Sequence, residues 1–347
     1  MPRGRAPPPR ALALLPALPS MAPLAPRRLA LAHVAALPFH RNARGAQAGQ
    51  PPLPNVARPG TSAVTATTLA LDGASVRVYG PNEGGAKAVL VFTPGFQCKA
   101  LQYEGLALHV ASHGFRAAIY DAIVEGEDTD EKRCAVLGNV VEVLARPDEA
   151  VVLAGHSRGA KLAALAAQQA AGLVLVDPVD ASDFAPIDPP RFPSALSALN
   201  ATPPPWRAAA VVYAANAGAC APATVDGAAF ADALARRDGA KLLCVRSEDA
   251  THFGCLDEET FTQAAACPGP ASEPGTRLYR SATRAAATAV CYSACASGAG
   301  VGALRSAAAS LTEIDAAAAS ADAQPKASGR YAPRWNGGNR LTVSLTV

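Results

Sequence analysis

No aspartate, glutamate or lysine occurs before Asp72, whereas the same 71 residues hold eight arginines (Arg3, Arg5, Arg10, Arg27, Arg28, Arg41, Arg44 and Arg58). A Pro/Ala-rich, basic and acid-free leader is the composition of an organellar transit peptide. Removing those eight charges from the formal +3 leaves residues 72–347 at about −5, so the body lacks the basic surface that a nucleic acid partner would require. Long apolar runs are missing as well. The longest in the leader, residues 11–26, is interrupted by Pro16, Pro19, Pro23 and Pro26 and falls short of the ~20 residues that cross a bilayer, so no transmembrane helix is expected. No C-x-x-C pair occurs among the eight cysteines (Cys98, Cys134, Cys220, Cys244, Cys255, Cys267, Cys291 and Cys295), which argues against a zinc framework. Cys291 and Cys295 share one side of a helical stretch, but a metal needs further ligands; disulfide pairing is not decided by spacing. There is no internal repeat.

What is present is a chain of 347 residues with ample length to bury a core. Residues 64–71 and 75–79 are β-rich runs joined at Asp72-Gly73, a hairpin signal. Strands are then predicted at 86–92, 116–120, 150–154, 172–176, 208–213 and 241–245. Helical patterns fall between them, at 103–112, 129–145, through 171 and from near 257. This alternation implies an α/β fold with a mostly parallel central sheet and helices on both faces. Residues 183–206, rich in proline and interleaved with Phe184, Ile187, Phe192 and Trp206, read as a cap segment over a site. The expected division is a leader at 1–60, an α/β domain at 61–297, and a C-terminal extension at 298–347 with a weak helix at 303–319 and an unstructured tail.

Chemistry concentrates at Gly155-His156-Ser157-Arg158-Gly159, which follows an apolar strand and opens an alanine-rich helix. G-x-S-x-G in that setting is a nucleophile elbow: the serine occupies a strained strand-to-helix turn, and the glycines let neighbouring backbone pass. The turn exposes Ser157 Oγ and aims the Arg158 N–H, at a helix N-terminus, toward a developing oxyanion. In this α/β-hydrolase arrangement the partners follow in the order acid, then histidine. His252 is the only histidine after Ser157, so it is the candidate base. Asp177, directly after the 172–176 strand, is the favoured acid, with Asp180 and Asp226 as rivals. Thr93-Pro94-Gly95-Phe96 ends another strand where a second oxyanion donor belongs, and the Phe96 N–H is the candidate.

These residues resemble the chlorophyllases, α/β hydrolases that cleave the phytyl ester of chlorophyll. Gly155 to Lys161 is similar to the family's GHSRGGK, with arginine after the serine; Asp177-Pro178-Val179 is similar to its DPV segment; and Thr251-His252-Phe253 with Leu256-Asp257 is similar to its GHM-x-x-LDD. Cys220-Ala221-Pro222 with Val225 resembles a CAP-x-x-V stretch. The departures include Pro94, which stands where the family has the histidine of HGF, Ala160, which replaces the second elbow glycine, and Thr251, which replaces the glycine before the base. The resemblance implies Asp177 as triad acid, His252 as base, a serine carboxylesterase producing chlorophyllide and phytol, and no cofactor or metal. It also favours a chloroplast over a mitochondrial destination and leaves contact with a membrane surface open. The alternatives are a broader esterase or lipase on other lipophilic esters, and a non-catalytic protein of the same fold that binds a pigment or another ligand.

Overall fold

Apolar runs and helical patterns alternate into one ten-stranded sheet in the computed structural model of the chain, which describes residues 31–37, 55–82, 85–182, 185–201, 206–221, 226–237, 239, 241–267, 271–295, 300–322 and 340–346. Three antiparallel strands form one edge: β1 (Leu31–Leu37), β2 (Val64–Leu71) and β3 (Ala74–Pro81). The turn between β2 and β3 is Asp72-Gly73, with Gly73 at φ 76°, a conformation glycine adopts without a Cβ penalty. The parallel centre follows: β4 (Ala88–Thr93), helix α1 (Glu104–Ser112), β5 (Arg116–Ala122), α2 (Asp130–Leu144), β6 (Ala150–His156), α3 (Arg158–Leu165) and β7 (Gly172–Val176). Beyond these come α4 (Ala195–Ala201), β8 (Ala208–Asn216), α5 (Gly227–Ala235), β9 (Leu242–Thr251), α6 (Phe261–Ala266), α7 (Glu273–Cys295), α8 (Gly300–Asp322) and β10 (Leu341–Thr346). The spatial order is β1-β2-β3-β5-β4-β6-β7-β8-β9-β10, with β10 antiparallel to β9.

Strand side chains alternate between two cores. Leu90, Phe92, Val152, Val174 and Val245 pack under α1, α7 and α8, while Val89, Val91, Leu153, Leu173 and Val211 pack under α2 to α5. This is the buried parallel sheet with helices on both faces that the pattern implied.

Several regions differ from expectation: β1 lies within the expected leader and pairs with β2, and α3 ends at Leu165 rather than near 171. β9 is longer than 241–245, because it pairs with β8 as far as Asn216↔Thr251, past an irregularity, and with β10 along its other edge. The helix expected near 257 starts at Phe261, where Thr260 and Gln263 form a capping box. The tail expected to lack structure contains β10: the backbone N–H groups of Arg340 and Leu341 donate to Asp315 of α8, which delivers the following residues to the open edge of β9.

Within the expected cap, residues 185–201 fold back along the main domain through the Asp188↔Phe192 bridge and α4, whose Ala195 and Leu199 are buried in the same core as α3. Residues 183–184 and 202–205 lie outside the described residues. At the other end, Asn55 to Ser62 is docked on α1. Val56 is buried, His109 Nε2 meets the Val56 carbonyl at 2.8 Å, and His113 Nε2 meets that of Arg58 at 2.9 Å.

Candidate active site

β6 delivers the chain to Ser157 at φ 55°, ψ −125°, a conformation that costs of order 1–3 kcal/mol for a residue with a Cβ. The Ser157 N–H donates to the Val176 carbonyl (2.9 Å), so the neighbouring strand holds the turn. Both flanking glycines are sterically required. A Cβ on Gly155 would lie 2.3 Å from the Gly159 backbone, and one on Gly159 would lie 2.2 Å from the Thr93 carbonyl. Ala160, which stands where the resembled motif has a second glycine, is buried in the α2–α5 core.

At the carboxyl end of β7, Asp177 also has a positive φ, 43°, and its N–H donates to Val212 (2.7 Å). Its carboxylate Oδ2 accepts from His252 Nδ1 at 3.0 Å, with both side chains buried. Burial pushes the Asp177 carboxyl above the usual range, while His252 and the Ala214 backbone pull it down. With Nδ1 protonated toward Asp177, Nε2 of His252 is left carrying the lone pair that a general base uses. The rival acids are engaged elsewhere. Asp180 accepts from Ser194 Oγ and the Ala195 N–H, both at 2.6 Å, and Asp226 caps α5 by accepting from Ala228 and Ala229.

Ser157 and His252 come from adjoining loops, since the residue before the serine, His156, donates from Nε2 to the His252 carbonyl (3.0 Å) and lies 4.8 Å from its ring. Among the described residues no hydrogen bond joins Ser157 Oγ to His252; in unliganded serine hydrolases that bond is often long and tightens when substrate binds.

On the other side of the elbow, the loop after β4 approaches so closely that a Cβ on Gly95 would lie 2.8 Å from His156 Nδ1 and 3.2 Å from Ser157 Cβ. The Gly95 N–H donates to Tyr103 Oη (3.2 Å), and the Cys98 N–H returns to the Gly95 carbonyl (3.1 Å). Phe96, between them, is 40 % exposed. The residue before Phe96 therefore packs directly against the elbow.

The Arg158 side chain leads away from the serine into a buried ion cluster at the start of α2. Its Nε meets Asp130 at 2.7 Å and one terminal nitrogen meets Asp128 at 3.2 Å; Lys161, one turn on, meets the other Asp130 oxygen at 2.9 Å. Arg158 also stands 5.5 Å over the Phe192 ring, and the Asp130 N–H donates to the Arg191 carbonyl. The cluster therefore ties the elbow helix to residues 188–192.

Sequence reasoning did not reach Tyr103, Asp130, Lys161 as an ion partner, the Cys220–Cys267 disulfide, or the buried Arg340 that stands 3.4 Å from Asp249 of β9. Asp130 reads in the sequence only as an acid in a first helical turn, and the cysteine spacing allowed many pairings. Among the described residues no group of three or more His, Cys, Asp and Glu side chains is placed to hold a metal, and no helix is long and apolar enough to cross a membrane.

A strained serine at a strand–helix turn, a buried carboxylate–imidazole pair and two converging backbone segments constitute the equipment for nucleophilic acyl transfer. No curated protein matches the chain. A family model does match, that of chlorophyllase, over residues 58–284, a span that contains every residue of this site.

Proposed function

The chain belongs to the chlorophyllase family of hydrolases, and from that premise we propose that it hydrolyses the phytyl ester of chlorophyll to chlorophyllide and phytol. The observation that carries this reading is the buried Asp177–His252 pair beside the strained Ser157 turn. Ser157 Oγ attacks the ester carbonyl while His252 Nε2 takes its proton, and Asp177 stabilises the imidazolium that forms. The Arg158 and Phe96 N–H groups serve the tetrahedral oxyanion. Collapse breaks the bond to the alcohol oxygen, His252 returns the proton to the departing phytol, and water activated by the same histidine hydrolyses the acyl-enzyme.

A lipophilic substrate fits the surroundings. Among the described residues five of the six exposed large apolar side chains, Phe96, Leu101, Ile123, Ile187 and Phe261, lie in segments that follow carboxyl ends of strands, the edge on which Ser157 sits; the sixth, Val143, is near the end of α2. That edge is also where contact with a membrane surface would present substrate to the serine, and import into plastids is the destination consistent with a chlorophyll substrate. Pro94, which replaces the family's histidine beside the oxyanion loop, favours as a second reading a changed preference among lipophilic esters.

The test is separation of pigments by HPLC after incubation of the full chain with chlorophyll a, beside Ser157→Ala and a short-chain p-nitrophenyl ester. Chlorophyllide formed by wild type and lost in Ser157→Ala is expected. Cleavage of the p-nitrophenyl ester alone would overturn the substrate and retain the esterase, and inactivity on both would favour a ligand-binding protein.

A further inference from the structure

Three loops meet at two buried side chains that the hydrolytic mechanism does not use. Tyr103 and His156 are 2 % and 0 % exposed, 53 residues apart in sequence, with Tyr103 Oη 2.8 Å from His156 Nδ1. Donor and acceptor roles are fixed by the ends of the chain of bonds. The His252 carbonyl can only accept, so the proton of the His156 ring is on Nε2, 3.0 Å away. Nδ1 is then an acceptor and takes the Tyr103 hydroxyl proton. The Tyr103 oxygen, its proton committed, accepts the Gly95 N–H at 3.2 Å. Every group in the series is satisfied in one direction only, Gly95 to Tyr103 to His156 to His252.

Burial holds the His156 imidazole neutral, well below its ordinary pKa, and pushes the Tyr103 phenol well above its own. Neither group exchanges protons with the reaction at neutral pH, which sets them apart from His252. Their fixed points are instead structural. The His252 carbonyl lies between the end of β9 and the turn closed by the Gly254 N–H on Thr251. Gly95 precedes the proposed oxyanion donor Phe96, and His156 precedes the nucleophile.

We propose that Tyr103 and His156 are positioning residues, a hydrogen-bonded strut that sets the base loop and the oxyanion loop at fixed places about the Ser157 elbow. The proposal rests on the reading of Ser157 and His252 as nucleophile and base. A displacement of about 1 Å at such a site costs on the order of 10²-fold in rate.

Tyr103→Phe removes one oxygen and breaks two bonds of the strut while keeping the ring. On an ester that wild type cleaves, kcat falls about 10- to 100-fold with KM little changed. His156→Leu gives a loss of the same order, the double variant loses little more than either single one, and His156→Gln, whose amide N–H reaches toward the place of Nε2–H, recovers much of it. An independent readout is the downfield proton resonance of the His252 Nδ1–H shared with Asp177, expected to broaden or move in Tyr103→Phe although thermal melting stays cooperative. Wild-type kcat and an unmoved resonance in Tyr103→Phe would overturn the strut, as would a change confined to KM. The resonance is measured whether or not any ester is cleaved, so a failure of the hydrolase reading and a failure of the strut are told apart.

Discussion

The two flanks of the site are built in different ways. The nucleophile flank is local: Ser157 sits between two adjacent strands, and the side chains of Arg158 and Lys161 are anchored by Asp128 and Asp130, about thirty residues upstream and one helix away. The base flank is assembled from distant pieces. His252 is placed by Asp177, 75 residues away, and by His156, 96 residues away. Nearby, a disulfide joins Cys220, after β8, to Cys267 at the end of α6, and Arg340 reaches Asp249 three residues before the histidine. One flank uses buried charge at shorter sequence range, the other a carboxylate–imidazole pair, a histidine–carbonyl hydrogen bond, a disulfide and an ion pair, all at long range. The lesson is that the proposed nucleophile is supported through its own helix, whereas the proposed base depends on how the last third of the chain closes.

The sharpest way to break the base flank is Asp177→Asn. The amide keeps the shape but offers Nδ1 a donor as readily as an acceptor, and kcat is expected to fall about 10⁴-fold with the melting temperature little altered, measured with a chromogenic ester. The matching blow to the nucleophile flank falls on stability. Asp130→Ala leaves Arg158 and Lys161 without their buried partner and is expected to destabilise the fold by about 3–5 kcal/mol in urea titration. The disulfide gives a smaller effect. Its ends are 47 residues apart, and Cys220→Ser with Cys267→Ser is expected to cost about 2–4 kcal/mol in the same titration, with the loss of activity on heating appearing earlier than in wild type.

Acid sharpens the contrast further, because the face under α1 and α7 relies on neutral histidines. Burial lowers His109 from 6.5 to about 4, and lowers His113 and His156 as well. The unfolded chain takes up these protons at a higher pH than the fold does, so stability is full above about 6.5 and is lost as pH falls through that value toward 4. By pH 5 His109 alone accounts for about 2 kcal/mol. Melting temperatures between pH 7.5 and 5 should show this decline, and His109→Gln, which retains a donor for the Val56 carbonyl, should remove its share of the slope.

Much of the nucleophile flank could be read directly from the sequence. The pentapeptide around Ser157 follows an apolar strand, and the same steric requirement that demands Gly155 and Gly159 produces the recognisable spacing. Asp177 stands out in the sequence because it directly follows an apolar strand, but the commitments of Asp180 to Ser194 and of Asp226 to the start of α5 are visible only in the fold. The length of β9 was not legible, since its continuation to Thr251 depends on pairing with β8 and β10 rather than on its own residues. The ion cluster is hidden for a related reason: the sequence assigns a role to the Arg158 backbone N–H but none to the side chains of Arg158 and Lys161, and only the approach of α2 shows that they are covered. His156 carries no signal of its own within the elbow motif; its role depends on Tyr103, 53 residues earlier, which packs against it in the fold.

β10 imposes an order of events on synthesis. The serine, the acid and the base all leave the ribosome before residues 341–346, and until those residues emerge β9 presents a row of unpaired backbone groups along its outer edge. A nascent chain halted within α8 would thus carry Ser157, Asp177 and His252, the proposed triad, and a strand with one open edge directly upstream of the histidine. That exposure ends when β10 pairs with β9 and Arg340 settles beside Asp249.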